Sequence, residues 1–286
     1  MINIISVIAY LILAPIIGGL LAGIDRKITA RMQGRVGPPI LQPFYDFFKL
    51  MEKEDITVNR VQDFYVMCFF LFVVVTGAFF FVGESLLLVI FTLTLASVFL
   101  IVAAFSSNSP YAQIGAEREL LQMLAYEPMV LITCVGFYMC TGSFQVGEIM
   151  KETSIPLPYM AGIFIGFIFI LTIKFRKSPF DLSMSHHAHQ ELVKGLTTEF
   201  SGKTMALIEI SHWYENIFLL GIVFLFFANS TIWGAVIGVV VCLLAYFLEI
   251  FIDNSFARMK WEVAINSAWI VAVVLGTLNL FILMYV

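Results

Sequence analysis

Thirty residues of the chain, 174–203, form a polar segment between two long apolar runs. The residues in it that could do chemistry are His186, His187, His189, Asp181, Glu191 and Glu199. A membrane protein tolerates such a segment only where water or protein solvates it. The His-His-x-His spacing supplies no fourth ligand on a defined scaffold, so we expect hydrogen-bonding histidines and no metal site. We interpret this segment as the part of the chain that takes part in the chemistry.

A second candidate is an acid inside an apolar run. Glu127 lies eight residues after Glu119 and directly before Pro128. At ~1.5 Å per helical residue, this places Glu127 on the order of 12 Å beyond Glu119. Pro128 cannot donate a hydrogen bond to the carbonyl of Leu124, which permits a local polar pocket. An ionised carboxylate at this depth is costly, so we predict a proton-path or switch role, with a structural hydrogen bond as the alternative.

A third group follows the polar segment. Glu209, His212 and Glu215 recur at steps of three residues, so one broad face of a helix would carry all three. An acid, an imidazole and an acid suit a protonation relay, because buried carboxyls titrate upward and histidine titrates near neutrality. The alternative is a trio satisfied by a neighbouring helix. Glu84 and Glu249 lie near span ends, and we expect them at the membrane interface.

Composition identifies the scaffold for these groups. The chain has 286 residues, 60% hydrophobic and 13% charged, against roughly 25% charged in average soluble proteins. The net charge of −4 gives no indication of nucleic-acid binding. We predict an all-α integral membrane protein in which residues 1–286 form a single membrane domain. Runs of about 20 apolar residues give eight spans, at 3–23, 64–83, 85–105, 118–141, 157–175, 204–228, 231–251 and 264–285.

The basic residues predict the topology. If the N-terminus lies outside, fifteen of the sixteen Lys and Arg fall in or beside the cytoplasmic connections, with Lys151 as the exception. The positive-inside rule then favours a multi-pass protein of the cell membrane with both termini outside. The first run lacks a positive n-region and more spans follow it, so we interpret it as a retained helix.

The first cytoplasmic connection, 24–63, contains apolar residues at three- and four-residue steps. They predict a short amphipathic helix in the membrane interface, either as a plain surface helix or as a docking helix under a soluble partner. The four cysteines lie within apolar spans and form no Cys-x-x-Cys, so we expect no iron–sulfur or zinc site in this chain.

Three motifs resemble a known family. The segments GRVGPPILQPFYDFFKLMEKE, SNSPYAQIGAERELLQMLAYE and PFDLS followed by QELVKGLTTEFSG resemble, in order, characteristic stretches of the complex I membrane subunit that abuts the quinone chamber, known in bacteria as the H subunit. FARMKWE near the last span is similar to the family as well. The residues on the first pattern include Gly37, Pro38, Gln42, Pro43, Asp46 and Lys49. The second pattern includes Arg118 and Glu127, and the third includes Asp181, Glu191 and Glu199.

The sequence departs from the quinone-reducing members at two places. The family's acid-rich segment before Glu-Leu-Val is SMSHHAHQ here, and Trp213 or His212 occupies a family glutamate position. Glu215 is a candidate to take over that role. These departures resemble the membrane subunit of Ech-type energy-converting [NiFe]-hydrogenases, in which electrons end on protons in a soluble partner.

This resemblance implies a coupling subunit that binds no cofactor itself. Its partners would be the lipid bilayer, soluble hydrogenase-like large and small subunits with [4Fe–4S] clusters and a NiFe centre, and an antiporter-like membrane subunit. Segment 174–203 would be a cytoplasmic coupling loop. The proton path would comprise Glu119, Glu127, Asp181, Glu191, Glu199, Glu209, His212 and Glu215. The partner interface would comprise Arg31, Arg35, Gly37, Pro38, Gln42, Pro43, Asp46, Lys49, Arg118, His186, His187 and His189.

Other functions remain open from sequence. A quinone- or methanophenazine-reducing dehydrogenase subunit is the alternative within the class. A stand-alone secondary transporter is the alternative outside it, although the sequence shows no inverted repeat. A passive anchor for soluble subunits is disfavoured, because an anchor has no use for costly intramembrane acids. The sequence does not distinguish H⁺ from Na⁺.

Overall fold

The computed structural model describes residues 2–54, 59–184 and 192–285. His186, His187, His189 and Glu191 therefore lie outside the described residues. Within those ranges the chain is all-α, apart from an isolated bridge between Ser85 and Gln145. The helices are α1 (Ile2–Met32), α2 (Gln42–Glu52), α3 (Arg60–Val82), α4 (Leu86–Phe105), α5 (Pro110–Thr141), α6 (Val146–Ile149), α7 (Ala161–Lys174), α8 (Gly202–Leu225), α9 (Ile232–Ser255), α10 (Trp261–Val271) and α11 (Leu278–Leu283).

The predicted membrane fold is confirmed. Seven helical segments of the described chain are long and apolar enough to span a bilayer, and the shorter apolar helix α7 supplies the eighth predicted segment. The last span runs through α10 and α11, which are joined by a π-helical stretch, Ala272–Thr277. Short connections separate neighbouring spans: Gly83 ends α3 with φ +98°, and the Thr231 hydroxyl caps α9 by accepting from the Gly234 amide.

Several helix ends differ from the predicted spans. Helix α1 continues to Met32, well beyond the predicted end at residue 23, and α5 begins at Pro110 instead of residue 118. Both extensions carry charged residues, which an apolar-run criterion excludes even though backbone hydrogen bonding continues through them. Consequently part of the predicted loop 24–63 is helical, and Asp25 and Glu119 are held on rigid elements.

The bundle has central and peripheral helices. In α4, α5 and α8 at least half of the most apolar window is buried against other helices, whereas α1, α9 and the last span expose most of theirs. A helix buried on most sides can hold polar side chains away from lipid. Helices α5 and α8 carry Glu119, Glu127, Glu209, His212 and Glu215, so the sequence-predicted relay residues lie on the central elements.

The predicted amphipathic helix is α2, which packs against α1 and α8. Phe44 and Phe47 both contact the Trp213 ring, with centroids 5.2 and 5.8 Å away. Tyr45 and Phe48 are exposed instead, at 57% and 60%. The predicted apolar stripe therefore splits between a protein-facing side and a side left for lipid or a partner. Gly19 and Gly23 permit the close approach, since a Cβ at either position would overlap Phe44 or the Ile40 carbonyl.

The C-terminal part of the polar segment rests directly on α5. A 3₁₀ turn, Gly195–Thr197, packs against Gly115, where an added Cβ would lie 2.3 Å from the Leu196 amide nitrogen. We expect Gly115→Ala to destabilise this contact by about 1–3 kcal/mol, because backbone cannot move aside as a flexible side chain can. The measurement is thermal unfolding of the detergent-solubilised protein. Gly147→Ala is the matched control, since its Cβ would meet only ordinary contacts at 3.5 Å or more. Equal melting temperatures for the two variants would contradict the expectation.

Candidate functional site: a buried ionic network

Three basic residues at the end of α7 begin the site. Helix α7 ends at Lys174, and Arg176 adopts a left-handed conformation with φ +52°. This bend turns the chain sharply, so Lys174, Arg176 and Lys177 reach three different groups of acids. We use "basic end" for the end of the bundle formed by this bend, the last turns of α1, and α2.

Lys174 forms a buried ion pair within the bundle. Its ammonium lies 3.3 Å from a carboxylate oxygen of Glu215 on α8, and both side chains are less than one-tenth exposed. The same ammonium lies 4.3 Å from the centroid of the Tyr126 ring on α5. A cation over an aromatic face is stabilised by the ring quadrupole. The Lys174 charge therefore ties α7 to α5 and α8.

Arg176 links an acid to an imidazole. Its guanidinium donates to Glu119 on α5 at 3.1 Å and contacts the His212 ring on α8. Glu119 also accepts a hydrogen bond from the Ser183 hydroxyl. Burial by itself lowers the pKa of Arg176, but the carboxylates of Glu119 and Glu215 together with the hydrogen bond to Glu119 raise the pKa above its ordinary value. The result is a Glu119–Arg176–His212 bridge between α5 and α8.

Lys177 forms a third ionic cluster, with acids of α1 and α9. It pairs with Asp25 of α1 and lies 3.4 Å from Asp253 of α9. Asp253 also accepts a hydrogen bond of 2.8 Å from the Ser178 amide. Burial lowers the pKa of the Lys177 ammonium, but the two carboxylates overcome it and raise the pKa. Lys177 thus clamps the polar loop to two peripheral helices.

Asp181 pairs with Arg258, which follows α9. Asp181 is 7% exposed, and its second oxygen has no hydrogen-bond partner among the described residues. Burial raises the pKa of Asp181 to about 7, although Arg258 opposes the shift. Burial likewise lowers the pKa of Arg258. Because the pocket disfavours charge on both partners, Asp181 can exchange a proton near neutral pH.

A pH dependence of stability follows from Asp181. Its pKa is 3.8 in an unperturbed side chain and about 7 in the folded protein, so the folded state binds the proton more tightly. Asp181 thus contributes stability fully at low pH, and this contribution falls by up to about 1.4 kcal/mol per pH unit as pH rises through the window from about 4 to about 7. We expect Asp181→Asn to remove this slope from thermal unfolding measured across pH. An unchanged slope in Asp181→Asn would show that Asp181 is ionised throughout.

Two small cavities extend from this network into the bundle. The first, about 10 Å³, is lined by Glu119, Arg176, Lys174, Glu215 and mainly apolar neighbours. The second, also about 10 Å³, shares Lys174 and Tyr126 with the first and is lined by Glu127. Each has room for about one water molecule. Half-buried Glu127 therefore adjoins the same lysine that pairs with Glu215.

A larger chamber lies at the basic end between α1, α2 and α8. It has a volume of about 310 Å³, and six of its eleven lining residues are charged. These six are Arg26, Asp46, Lys49, Lys53, Lys194 and Glu209. Asp46 accepts hydrogen bonds from Arg26 at 2.6 Å and from Gln42 at 2.9 Å. Glu209 therefore faces this chamber and not the Lys174 network.

The predicted trio on α8 is thus distributed over separate partners. Glu215 pairs with Lys174, His212 contacts Arg176, and Glu209 lines the chamber. Glu199 is half-buried in the turn before α8, and Asp181 lies with Arg258. The structure brings Glu119, His212, Glu215 and Glu127 together around two basic residues; whether protons follow that arrangement stays a prediction.

Most of the described residues that were predicted to contact a partner lie at the basic end, whereas Arg118 lies on α5. Arg31, Arg35 and Lys49 are exposed, whereas Pro43, in the first turn of α2, is buried. Gly37 has φ +77° in the turn before Pro38, and Arg118 lines an open cleft beside α9. The described residues contain no group of three metal-ligating side chains. Partner binding stays a prediction.

Sequence reasoning missed the basic partners. Lys174, Arg176 and Lys177 counted only as topology signals, yet they organise the network. Their position directly after an apolar run, in a chain with acids inside its spans, was the available signal. Glu249 is fully buried against other helices, with 0% exposure, and its expected position at the membrane interface stays a prediction. Glu84, in contrast, lies in the turn between α3 and α4, where it is exposed.

Known proteins are similar to this chain in sequence and in fold. A family model described as NADH dehydrogenase matches residues 3–284. The H subunit of NADH-quinone oxidoreductase from Geobacillus sp. (strain WCH70) is 28% identical, covering 96% of this chain and 90% of that protein. The corresponding protein of Ehrlichia ruminantium (strain Gardel) is 28% identical over 86% of this chain and 78% of that protein.

A solved structure agrees with these relatives. A chain in the structure of the membrane-bound sulfane sulfur reductase, an archaeal respiratory membrane complex, superposes with a TM-score of 0.85 at 26% identity, covering 98% of this chain and 100% of that one. The resemblance read from three sequence motifs is therefore confirmed over nearly the full length. This chain belongs to the NADH dehydrogenase family that includes the H subunit of complex I.

Proposed function

We propose that this chain is the membrane coupling subunit of a respiratory oxidoreductase complex, linking electron transfer in a docked soluble arm to translocation of H⁺ or Na⁺. The observation that carries the proposal is the buried network in which Lys174 pairs with Glu215 beside the Glu127 cavity. Ionisable groups inside a bundle are costly and are a functional feature by default. The relatives support the proposal that this chain is part of an electron-transfer complex, since the names of both the NADH-quinone oxidoreductase proteins and the sulfane sulfur reductase describe such complexes.

The proposed mechanism is electrostatic. A change of charge or position at the basic end alters the field on Lys174 and Arg176, which hold Glu215 and Glu119 by direct contact. Weakening either contact makes the acid easier to protonate, and a proton then moves between it and Glu127 through the two adjoining cavities. Asp181 lies in the loop that bears the basic residues and supplies a group that exchanges protons near neutral pH. Glu191, Glu199 and Glu209 belong to the same proposed route.

The terminal electron acceptor is proposed to lie in the soluble arm. The sequence departs from the quinone-reducing members of the family in the segment SMSHHAHQ and at the glutamate position that Trp213 or His212 occupies. This favours a hydrogenase-type arm, with [4Fe–4S] clusters and a NiFe centre in its large and small subunits, over a quinone- or methanophenazine-reducing one. A second candidate acceptor is sulfane sulfur, favoured by the structural relative that covers nearly all of this chain.

The test is the composition and activity of the complex that copurifies with a tagged copy of this chain from cell membranes. The hydrogenase assignment predicts stoichiometric nickel with iron and evolution of H₂ from a low-potential donor. Sulfide production without nickel would select the second candidate. Reduction of an added quinone as the only activity would contradict both. Purification of the chain alone with full ion transport would refute a coupling role.

A further inference from the structure

One fully buried acid lies outside the network described above. Glu249 on α9 is 0% exposed, and both of its carboxylate oxygens lack a hydrogen-bond partner among the described residues. Helix α9 packs against α1, α7 and α8. An unpartnered polar group in an apolar interior costs several kcal/mol, and an ionised one costs more. Such a pocket accepts the neutral carboxylic acid.

Tyr246 and Ile250 flank Glu249 along α9, and both belong to an apolar cluster. Leu21, Leu220, Tyr246 and Ile250 form this cluster, and the Tyr246 ring packs edge-on against Phe175 with centroids 5.9 Å apart. From Ile232 to Leu248, α9 contains no other acid and no base. Glu249 is therefore the deepest titratable carboxyl on this helix.

The side toward the basic end is ionic. Asp253 lies four residues further along α9, one helical turn away on the same face. It contacts Lys177 and the Ser178 amide, and it lines a cleft of about 870 Å³ together with Ser178 and Arg258. Among the described residues, the charged groups that act on Glu249 are Lys177 and Asp253. Asp25 of α1 reaches the same cluster through Lys177.

We infer that Glu249 is a proton-loading acid at the inner end of a branch formed by the cleft, Asp253 and Lys177. In the state seen here, Lys177 is held by Asp25 and Asp253, and Glu249 retains its proton. When the loop moves Lys177 toward Glu249, the Glu249 O–H bond breaks and the proton passes through the Asp253 carboxylate to water in the cleft. The Lys177 ammonium then balances the new carboxylate. Reversal of the movement reloads the acid.

This inference rests on the proposed function and extends it by a second branch. The α5–α8 network and the α9 branch share the segment 174–178, so one loop movement acts on both. Because α9 offers no deeper carboxyl, Glu249 stores a proton for each movement of the loop instead of passing it onward along this helix.

The test is infrared difference spectroscopy of the intact purified complex, reduced minus oxidised, in H₂O and D₂O. We expect a band in the carbonyl region of protonated carboxylic acids that moves in D₂O, is lost in Glu249→Gln and is shifted in Glu249→Asp. Glutamine is nearly isosteric with glutamate, so Glu249→Gln should fold. If Glu249→Gln does not fold, Glu249→Asp still carries an acid at this position whose band can be measured. Glu84→Gln, at an exposed acid, is the control and should leave the spectrum unchanged.

Ion transport in proteoliposomes supplies the second readout. Glu249→Gln cannot provide the carboxylate that balances the displaced Lys177, so the loop movement that acts on both branches is hindered. The ratio of ions moved per electron should therefore fall about twofold or more in this variant while electron transfer continues. A carbonyl band that persists in Glu249→Gln, or a transport ratio equal to that of the unmodified complex in this variant alone, would overturn the inference. Unchanged ratios in both Glu249→Gln and Glu127→Gln would instead refute the proposed function.

Discussion

Replacing Lys174 with methionine is expected to destabilise the protein by about 3–5 kcal/mol, since removing one partner of a buried ion pair leaves an uncompensated charge. The Lys174 side chain is 6% exposed and its partner Glu215 is 9% exposed, so water cannot take over the lost contact. The contact with the Tyr126 ring disappears as well. Methionine fills a similar volume, which limits the contribution of a cavity. The measurement is thermal unfolding of the solubilised protein and the yield of assembled complex.

The chain supplies its own control for this substitution. Lys151 pairs with Glu148 at 2.9 Å, but the two side chains are 73% and 54% exposed. Exposed pairs contribute about 0–1 kcal/mol, so Lys151→Met should be close to neutral. A double variant, Lys174→Met with Glu215→Leu, should recover most of the stability because no unpaired charge remains, yet it should not recover ion transport. Equal effects of the two single lysine variants would show that the Lys174 pair is not buried in the membrane.

Replacing Glu127 with glutamine is expected to lower ion-coupled turnover on the order of a hundredfold while the complex assembles normally. Glutamine keeps the shape and hydrogen-bonding capacity of the side chain but cannot release a proton. Glu127 lines the cavity that reaches Lys174, so loss of its proton would interrupt transfer at the point where the network enters the apolar interior. The measurement is ion uptake into proteoliposomes alongside the rate of electron transfer by the soluble arm.

The control for Glu127→Gln is again Glu84→Gln, because Glu84 lies exposed in a turn at the end of α3. That variant should transport ions normally. The discriminating quantity is the ratio of transport to electron transfer, which a general loss of protein would leave unchanged. Full coupled transport in Glu127→Gln would remove this acid from the route and leave only a structural role for it.

Local patterns in the sequence were sufficient to predict several structural elements. The apolar runs predicted the membrane segments, because the bilayer requires about 20 apolar residues and every backbone group must be bonded within the helix. Apolar residues at three- and four-residue steps predicted α2. Three motifs identified the family, and the acids on α5 and α8 stood out because charge is rare inside spans.

Only the tertiary structure decided which charges meet. Glu209, His212 and Glu215 share a helix face in sequence, yet the packing of α2 and α7 against α8 assigns them to the chamber, to Arg176 and to Lys174. Lys177 joins Asp25, which is 152 residues away in the chain, and Asp253, which is 76 residues away. Helix α9, which carries Glu249, packs against the distant helices α1 and α7 as well as its neighbour α8. Composition and periodicity determine that a residue enters the membrane and on which face of its helix it lies. The partner and the protonation state depend on distances between helices, which the packing of the whole bundle sets.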